Sequence, residues 1–215
     1  MIFHTGVLYS LPAFILWLSY YLVLYYRVKH APLSTTIGKY NATRSAWTIG
    51  VMKNNSDILA VQTLRNWSMS ATFLASTGSL LALAILNFLL DPESLATIAL
   101  RHNTYGLADN MQVEFFRAKL LLLMIIMFFS FFNFTLSIRY YNKAGFILCI
   151  RDANAAESHQ KYAVRTVFNG ALHYMLGMRS YYLTVPLVLW LLGNAWLYVG
   201  MLLLILVQFR TDYRP

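Results

Sequence analysis

Charge is scarce in this sequence, and negative charge scarcer still. Only 12% of the 215 residues are Asp, Glu, Lys or Arg, with 8 acids against 17 bases, where a soluble domain carries about 25% charged residues. None of the long apolar runs described below contains an Asp or Glu, the groups that coupled transporters usually place in the membrane to carry protons or bind cations. A single cysteine, Cys149, excludes an internal disulfide and a thiolate metal cage. Proline occurs 5 times, and Pro12 and Pro186 read as first-turn residues of spans, where proline is cheap, so no broken helix is expected. Nucleophile elbow, phosphate loop, zincin motif and dinucleotide fingerprint are all missing. The sequence therefore offers no catalytic apparatus and is not expected to be an enzyme.

What the chain does hold is hydrocarbon: 59% hydrophobic residues and a mean hydropathy of +0.53. Four windows approach the roughly 20 residues a helix needs to cross a bilayer core, at 7–26, 68–90, 119–141 and 182–208. The expected fold is all-α: one integral membrane domain of four transmembrane helices over residues 1–215. The first window is not a signal peptide in character, because "MIFHTGVLYS" has no Lys or Arg and no small-residue cleavage site follows Tyr26. It is expected to stay as a span.

The formal charge of +9 is explained by position. Arg27, Lys29, Lys39, Arg44, Lys53 and Arg65 fall between the first two windows, and Arg139, Lys143, Arg151, Lys161, Arg165 and Arg179 between the last two. The middle connection carries Asp91, Glu93, Asp109 and Glu114, with Arg101 as its main base. Basic loops stay cytoplasmic, so both termini and residues 91–117 are expected outside, in a bacterial cytoplasmic (inner) membrane. Membrane lipids are expected partners. Nucleic acid is not, because no aromatic-interleaved basic patch or binding motif is present.

The cytoplasmic segments read as helical extensions. Residues 163–176 alternate Ala163, Val164, Val167, Phe168, Ala171, Leu172, Met175 and Leu176 with polar positions at helical spacing. Asn55 or Ser56 can cap a helix beginning at Asp57, which would run on into the second span for about 50 Å.

That second span carries hydroxyls. Arg65, Ser68, Thr72, Ser76 and Ser79 share a face, with Ala71, Ala75, Gly78 and Ala82 beside them. In the third, Ser130, Asn133, Ser137 and Tyr141 recur on one face. Small residues and interhelical hydrogen bonds drive helix association in lipid, so the two stripes are expected to pack together, Asn133 opposite Thr72 or Ser76. Asn194 is a further buried-amide candidate in the last window.

Five histidines, His4, His30, His102, His159 and His173, fall outside the windows, where a buried haem would need two axial ligands at matched depth; only His30 and His173 could approach one another, and interfacial hydrogen bonding is the expected role. Glu93, His102, Asp109 and Glu114 match no metal-ligand spacing. No cofactor and no metal is expected. Where the chain re-enters the membrane, "LHYMLGMRSYYLTVP" gathers His173, Tyr174, Arg179, Tyr181 and Tyr182. With Arg65, Asn66, Tyr141 and Asn142 these form a candidate interfacial site for a lipid head group or a quinone, against the plainer reading of interfacial anchors.

At "ILAVQTLRN", "SATFLAST", "RYYNKAGF" and "HYMLGMRSYYLTVPLVLWLLG" the chain resembles the uncharacterised membrane family of bacteria and plants designated domain of unknown function five hundred and ninety-nine. The resemblance implies a small four-helix membrane protein and no activity. Taken together, the residues favour a non-catalytic accessory subunit of a larger membrane complex, of respiratory or oxidative type. The alternatives are a homo-oligomeric channel or transporter, with the hydroxyl stripe lining its pore, and a quinone or haem redox module.

Overall fold

The computed structural model describes residues 3–54, 56–101, 109–150 and 156–213, apart from the side chains of 3–7, 109, 110 and 156. Asn55, His102 and Arg151, and the side chains of His4 and Asp109, lie outside what is described. Among the described residues seven α-helices follow one another: α1 (Phe3–His30), α2 (Thr36–Lys53), α3 (Asp57–Leu89), α4 (Pro92–Arg101), α5 (Asp109–Cys149), α6 (Ala156–Leu192) and α7 (Asn194–Tyr213), with a 3-10 turn at Pro32–Ser34 before α2. No strand occurs among the described residues. Among the described residues five helices, α1, α3, α5, α6 and α7, are long and apolar enough to cross a membrane.

The helix starts follow from local chemistry. Thr35 caps α2, its hydroxyl accepting the Gly38 N–H at 3.2 Å. Asp57 stands in the first turn of α3, where a carboxylate suits the unpaired N–H groups. Asp91 accepts the Ser94 N–H at 3.2 Å ahead of α4, and its hydrogen bonds from Ser94 hold its carboxyl below the usual range. Helices α3, α5 and α6, of 33, 41 and 37 residues, reach about 50, 61 and 55 Å. Each overshoots a hydrocarbon core of about 30 Å, so each extends well beyond it.

Helix α5 is the central column, packed along α3 on one side and α6 on the other. Against α3 the contact is made by small residues: Ala71, Ala75, Gly78 and Ala82 are buried, and a Cβ on Gly78 would sit 3.8 Å from the Met127 carbonyl oxygen. Backbones approach closely where side chains end at Cβ. At one end of the bundle Val51, Leu64, Tyr141, Ile147 and Val167 join α2, α3, α5 and α6; at the other, Ala13, Phe115, Leu187, Trp190 and Leu197 join α1, α5, α6 and α7. Leu95 and Ala99 of α4 pack on Phe116 and Leu120 of α5.

The expected fourth span, 182–208, is not one helix. Gly193 takes φ 146°, a backbone conformation open to glycine and strained for other residues, and the chain doubles back there. Trp190 Nε1 donates to Asn194 Oδ1 across the turn at 2.8 Å. Lys119 Nζ of α5 donates to the Trp190 carbonyl at 3.0 Å, near the C-terminal end of α6, where the Gly193 N–H also donates to it at 3.2 Å. Helix α7 then lies against α6 so closely that a Cβ on Gly200 would fall 2.8 Å from the Pro186 Cα. Pro186 and Pro12 are also not first-turn residues: both lie inside longer helices, because α1 and α6 begin well upstream of the apolar windows.

The hairpin reverses where the chain ends. Tyr198 donates to the Tyr9 carbonyl at 2.7 Å and Tyr20 to Asp212 Oδ2 at 2.7 Å, so α7 runs parallel to α1. Tyr213 therefore lies at the same end of the bundle as His30, opposite the start of α1. Both termini on one side, as a four-helix reading requires, is corrected by that pairing.

Gly193→Ala is expected to lower the unfolding midpoint in detergent, by the equivalent of about 1–3 kcal/mol for the strained backbone. Gly50→Ala, at a helical position with nothing within 4 Å of the added Cβ, is expected to raise it, by about 0.5–1 kcal/mol. A thermal melt of both variants checks the pair; equal effects would mean that the Gly193 conformation does not hold the turn.

Candidate functional site

The polar residues of α5 face α6 rather than α3. Ser130 Oγ donates to the Gly177 carbonyl at 2.9 Å and Ser137 Oγ to the Gly170 carbonyl at 2.8 Å. Both hydroxyls are fully buried. Between them His173 Nδ1 lies 3.0 Å from Asn133 Oδ1, a bond that requires the proton on Nδ1, while Asn133 Nδ2 donates to the Phe129 carbonyl at 2.9 Å. Tyr140 stacks on the His173 ring with centroids 5.4 Å apart. Glycines make the approach possible, since a Cβ on Gly170 would meet the Tyr141 ring at 2.7 Å and one on Gly177 the Phe134 ring at 2.8 Å. The expected contact of Asn133 with Thr72 or Ser76 is thus replaced by one with His173. Polar side chains need partners in lipid, and α6 supplies both bare carbonyls and an imidazole.

The α3 stripe has the opposite fate. Thr72 and Ser76 are exposed, as is Arg65, while Ser68 and Ser79 are half-buried. Thr72 donates to the Ser68 carbonyl, Ser76 to Thr72 and Ser79 to Ser76, each at 2.9 Å, so these hydroxyls are satisfied within their own helix. Ser68, Thr72 and Ser76, but not Ser79, line an open groove of about 1190 Å³ along α3 and α5, together with Arg65, Met69, Phe73, Tyr141, Asn142 and Cys149. From Arg65 to Ser76 the groove follows α3 for about 16 Å, roughly half of a bilayer core.

The candidate interfacial cluster is divided among separate places. Arg65, Tyr141 and Asn142 belong to the groove. His173 is held in the α5–α6 seam. Asn66 and Tyr182 are exposed outside both. His30 does not turn to His173; it stacks on Tyr26 with centroids 4.2 Å apart, and His159 Nε2 lies 2.9 Å from the Ile147 carbonyl. Among the described residues no group of His, Cys, Asp or Glu is placed to hold a metal ion, and Glu114 is paired with Arg117 at 2.8 Å.

Arg179 joins a network absent from the sequence reading. Its Nη2 lies 2.6 Å from Asp212 Oδ1, with both side chains largely buried. Tyr20 donates to the other Asp212 oxygen, Tyr21 donates to Gln208 Oε1 at 3.0 Å, and the Arg179 guanidinium lies 5.3 Å from the Tyr21 ring centroid. Three helices, α1, α6 and α7, are fastened at this one point.

A family model described as "protein of unknown function, DUF599" matches residues 9–215. The chain belongs to the DUF599 family. No curated protein and no solved structure matches it.

In this DUF599 protein the carboxylate of Asp212 escaped notice because it lies past the apolar window, in "QFRTDY". The signal was available: Leu197, Met201, Leu204, Gln208 and Asp212 are buried and recur at helical spacing, so the last two extend one packed face beyond the apolar run. Lys119 was equally hidden at the edge of a window, yet it is buried, with its ammonium 4.7 and 5.0 Å from the Phe115 and Trp190 ring centroids.

Asp212→Ala is expected to destabilise this DUF599 chain far more than Ser130→Ala. Removing one partner of a buried pair costs about 3–5 kcal/mol because the other charge is stranded, while an interhelical hydrogen bond in a membrane averages about 0.6 kcal/mol. Unfolding midpoints of the two variants in the same detergent provide the ranking; the reverse order would remove the pair from its role as fastener.

Proposed function

We propose that the protein is a non-catalytic subunit of a larger membrane assembly, and that the α3–α5 groove receives a transmembrane helix of its partner. The observation carrying this reading is the exposed pair Thr72 and Ser76, in line with the half-buried Ser68 along the groove, beside the buried Ala71 and Ala75. Faces of small and hydroxylic residues are what membrane helices use to approach one another, and α3 has such residues left over after α5 is packed. Several polar groups of the bundle are engaged internally: Ser130, Ser137 and Asn133 with α6 or α5, Asp212 with Arg179 and Tyr20. They support a scaffold more than a path for solute.

The arrangement also favours a particular orientation. Arg27, Lys29, Lys39 and Lys53, the ends of α5 and start of α6, and Arg210 of α7 gather at one end, while Asp91, Glu93 and Glu114 stand at the other. By the positive-inside tendency the basic end, including the C-terminus, faces the cytoplasm of a bacterial inner membrane, and the start of α1 faces out.

A second reading rests on the same groove: a second copy of this chain as the occupant, the first step towards a homo-oligomeric channel. One experiment separates the two. In a Cys149→Ser background, Thr72→Cys or Ser76→Cys carrying a photoactivatable crosslinker is expected to give one defined adduct in native membranes, and Val185→Cys, exposed on α6, none. An adduct with a different polypeptide supports the accessory subunit. An adduct of twice the chain mass transfers the weight to the homo-oligomer, and no adduct from either groove position refutes docking there.

A further inference from the structure

A smaller slot of about 360 Å³ opens between α1, α2 and α6, apart from the groove. Its walls are hydrocarbon, including Leu24, Val28, Ile37, Leu172 and Leu176, and two guanidiniums border it, Arg44 of α2 and Arg179 of α6. Only Arg179 has a carboxylate, Asp212, reached through Nη2; its Nη1 is buried and has no hydrogen-bond acceptor. Arg44 is half-buried and makes no salt bridge among the described residues. Its Nη1 donates to Asn41 Oδ1 at 3.3 Å, and its guanidinium lies 5.7 Å from the Tyr40 ring centroid.

A partly buried site with two fixed cations and one carboxylate carries an excess positive charge, which is costly away from water unless it is paired. Guanidinium geometry matches phosphate oxygens, two parallel N–H groups to one anion. An anion alone would leave the hydrocarbon walls facing water, whereas a phosphate attached to an acyl chain satisfies both parts of the slot. The slot lies at the basic end of the bundle, near Arg27, Lys29 and Lys39, where acidic lipid is concentrated by surface charge. We infer that the slot between α1, α2 and α6 binds one acidic phospholipid, its phosphate on Arg44 and one acyl chain between Leu24 and Leu172.

The test is native mass analysis of the detergent-purified full chain titrated with phosphatidylglycerol or with phosphatidylcholine of the same acyl chains. The wild-type protein is expected to retain one phosphatidylglycerol at roughly tenfold lower lipid concentration than phosphatidylcholine, the scale of one charge-assisted contact. Arg44→Gln is expected to erase that preference and Arg44→Lys, which keeps the charge, to preserve part of it. Arg139→Gln, an exposed base at the same end of the bundle, is expected to leave it intact. Leu172→Trp, which fills the slot, should reduce retention of both lipids, and it decides the matter if Arg44→Gln fails to fold. Unchanged phosphatidylglycerol retention in Arg44→Gln or Leu172→Trp overturns the proposal. So does displacement of the lipid by equimolar glycerol phosphate, which would assign the site to a soluble anion.

Discussion

The whole arrangement at one end of the bundle depends on the reversal at Gly193. A continuous helix through 182–208 would carry Gln208 and Asp212 away from Arg179, to the far side of a membrane. The turn sends α7 back along α6 instead, and each later contact follows: Gly200 against Pro186, Tyr198 on the Tyr9 carbonyl, and Asp212 between Arg179 and Tyr20. Three residues make the reversal tenable. Gly193 accepts the backbone angle, Asn194 ties to Trp190, and Lys119 adds a second donor to the Trp190 carbonyl that also accepts the Gly193 N–H.

Polar chemistry within this bundle is distributed according to what each helix can offer in return. Helix α6 presents Gly170 and Gly177 seven residues apart, and each glycine leaves its carbonyl reachable by a serine of α5. Helix α3 meets α5 through Ala71, Ala75, Gly78 and Ala82, whose short side chains bring the backbones together and leave no room for hydroxyls between them. The hydroxyls of Thr72, Ser76 and Ser79 are therefore displaced to the flank, where bonds to their own helix carbonyls make exposure to hydrocarbon tolerable. One small-residue face and one hydroxyl face on the same helix serve different neighbours.

The helical class, the membrane character, the long α3 extending past the bilayer and the family were legible in the sequence, because each rests on composition or on a periodicity that no tertiary contact alters. The division of 182–208 was not. Gly193 stands inside an unbroken apolar run, and a glycine there is compatible with a continuous span; its positive φ is a property of the folded chain. The partners of Asn133 were misjudged for a related reason. Helical spacing identifies which residues share a face but not which of two neighbouring helices that face meets, and α5 has α3 on one side and α6 on the other. The proposed cluster around Arg65 and Arg179 failed similarly, since sequence places its members at one depth without placing them on one side of the bundle.

Charge explains why the same end of the molecule that is fastened internally remains receptive outside. Asp212 offsets Arg179, and two tyrosines hold the pair in place, so this cation is already committed to joining α1, α6 and α7. Arg44 has no such commitment, although α2 holds it against the same slot. It also borders a chamber of about 400 Å³ walled by Trp47, Trp67, Tyr141 and Tyr174, and Trp67 packs on both Trp47 and Tyr141 with centroids 5.5 and 5.3 Å apart. A guanidinium is a pre-organised planar fork and loses little freedom for each hydrogen bond it forms. The fixed pair thus serves cohesion and the unpaired guanidinium recognition, and α7 contributes to that difference by bringing its single buried carboxylate to Arg179.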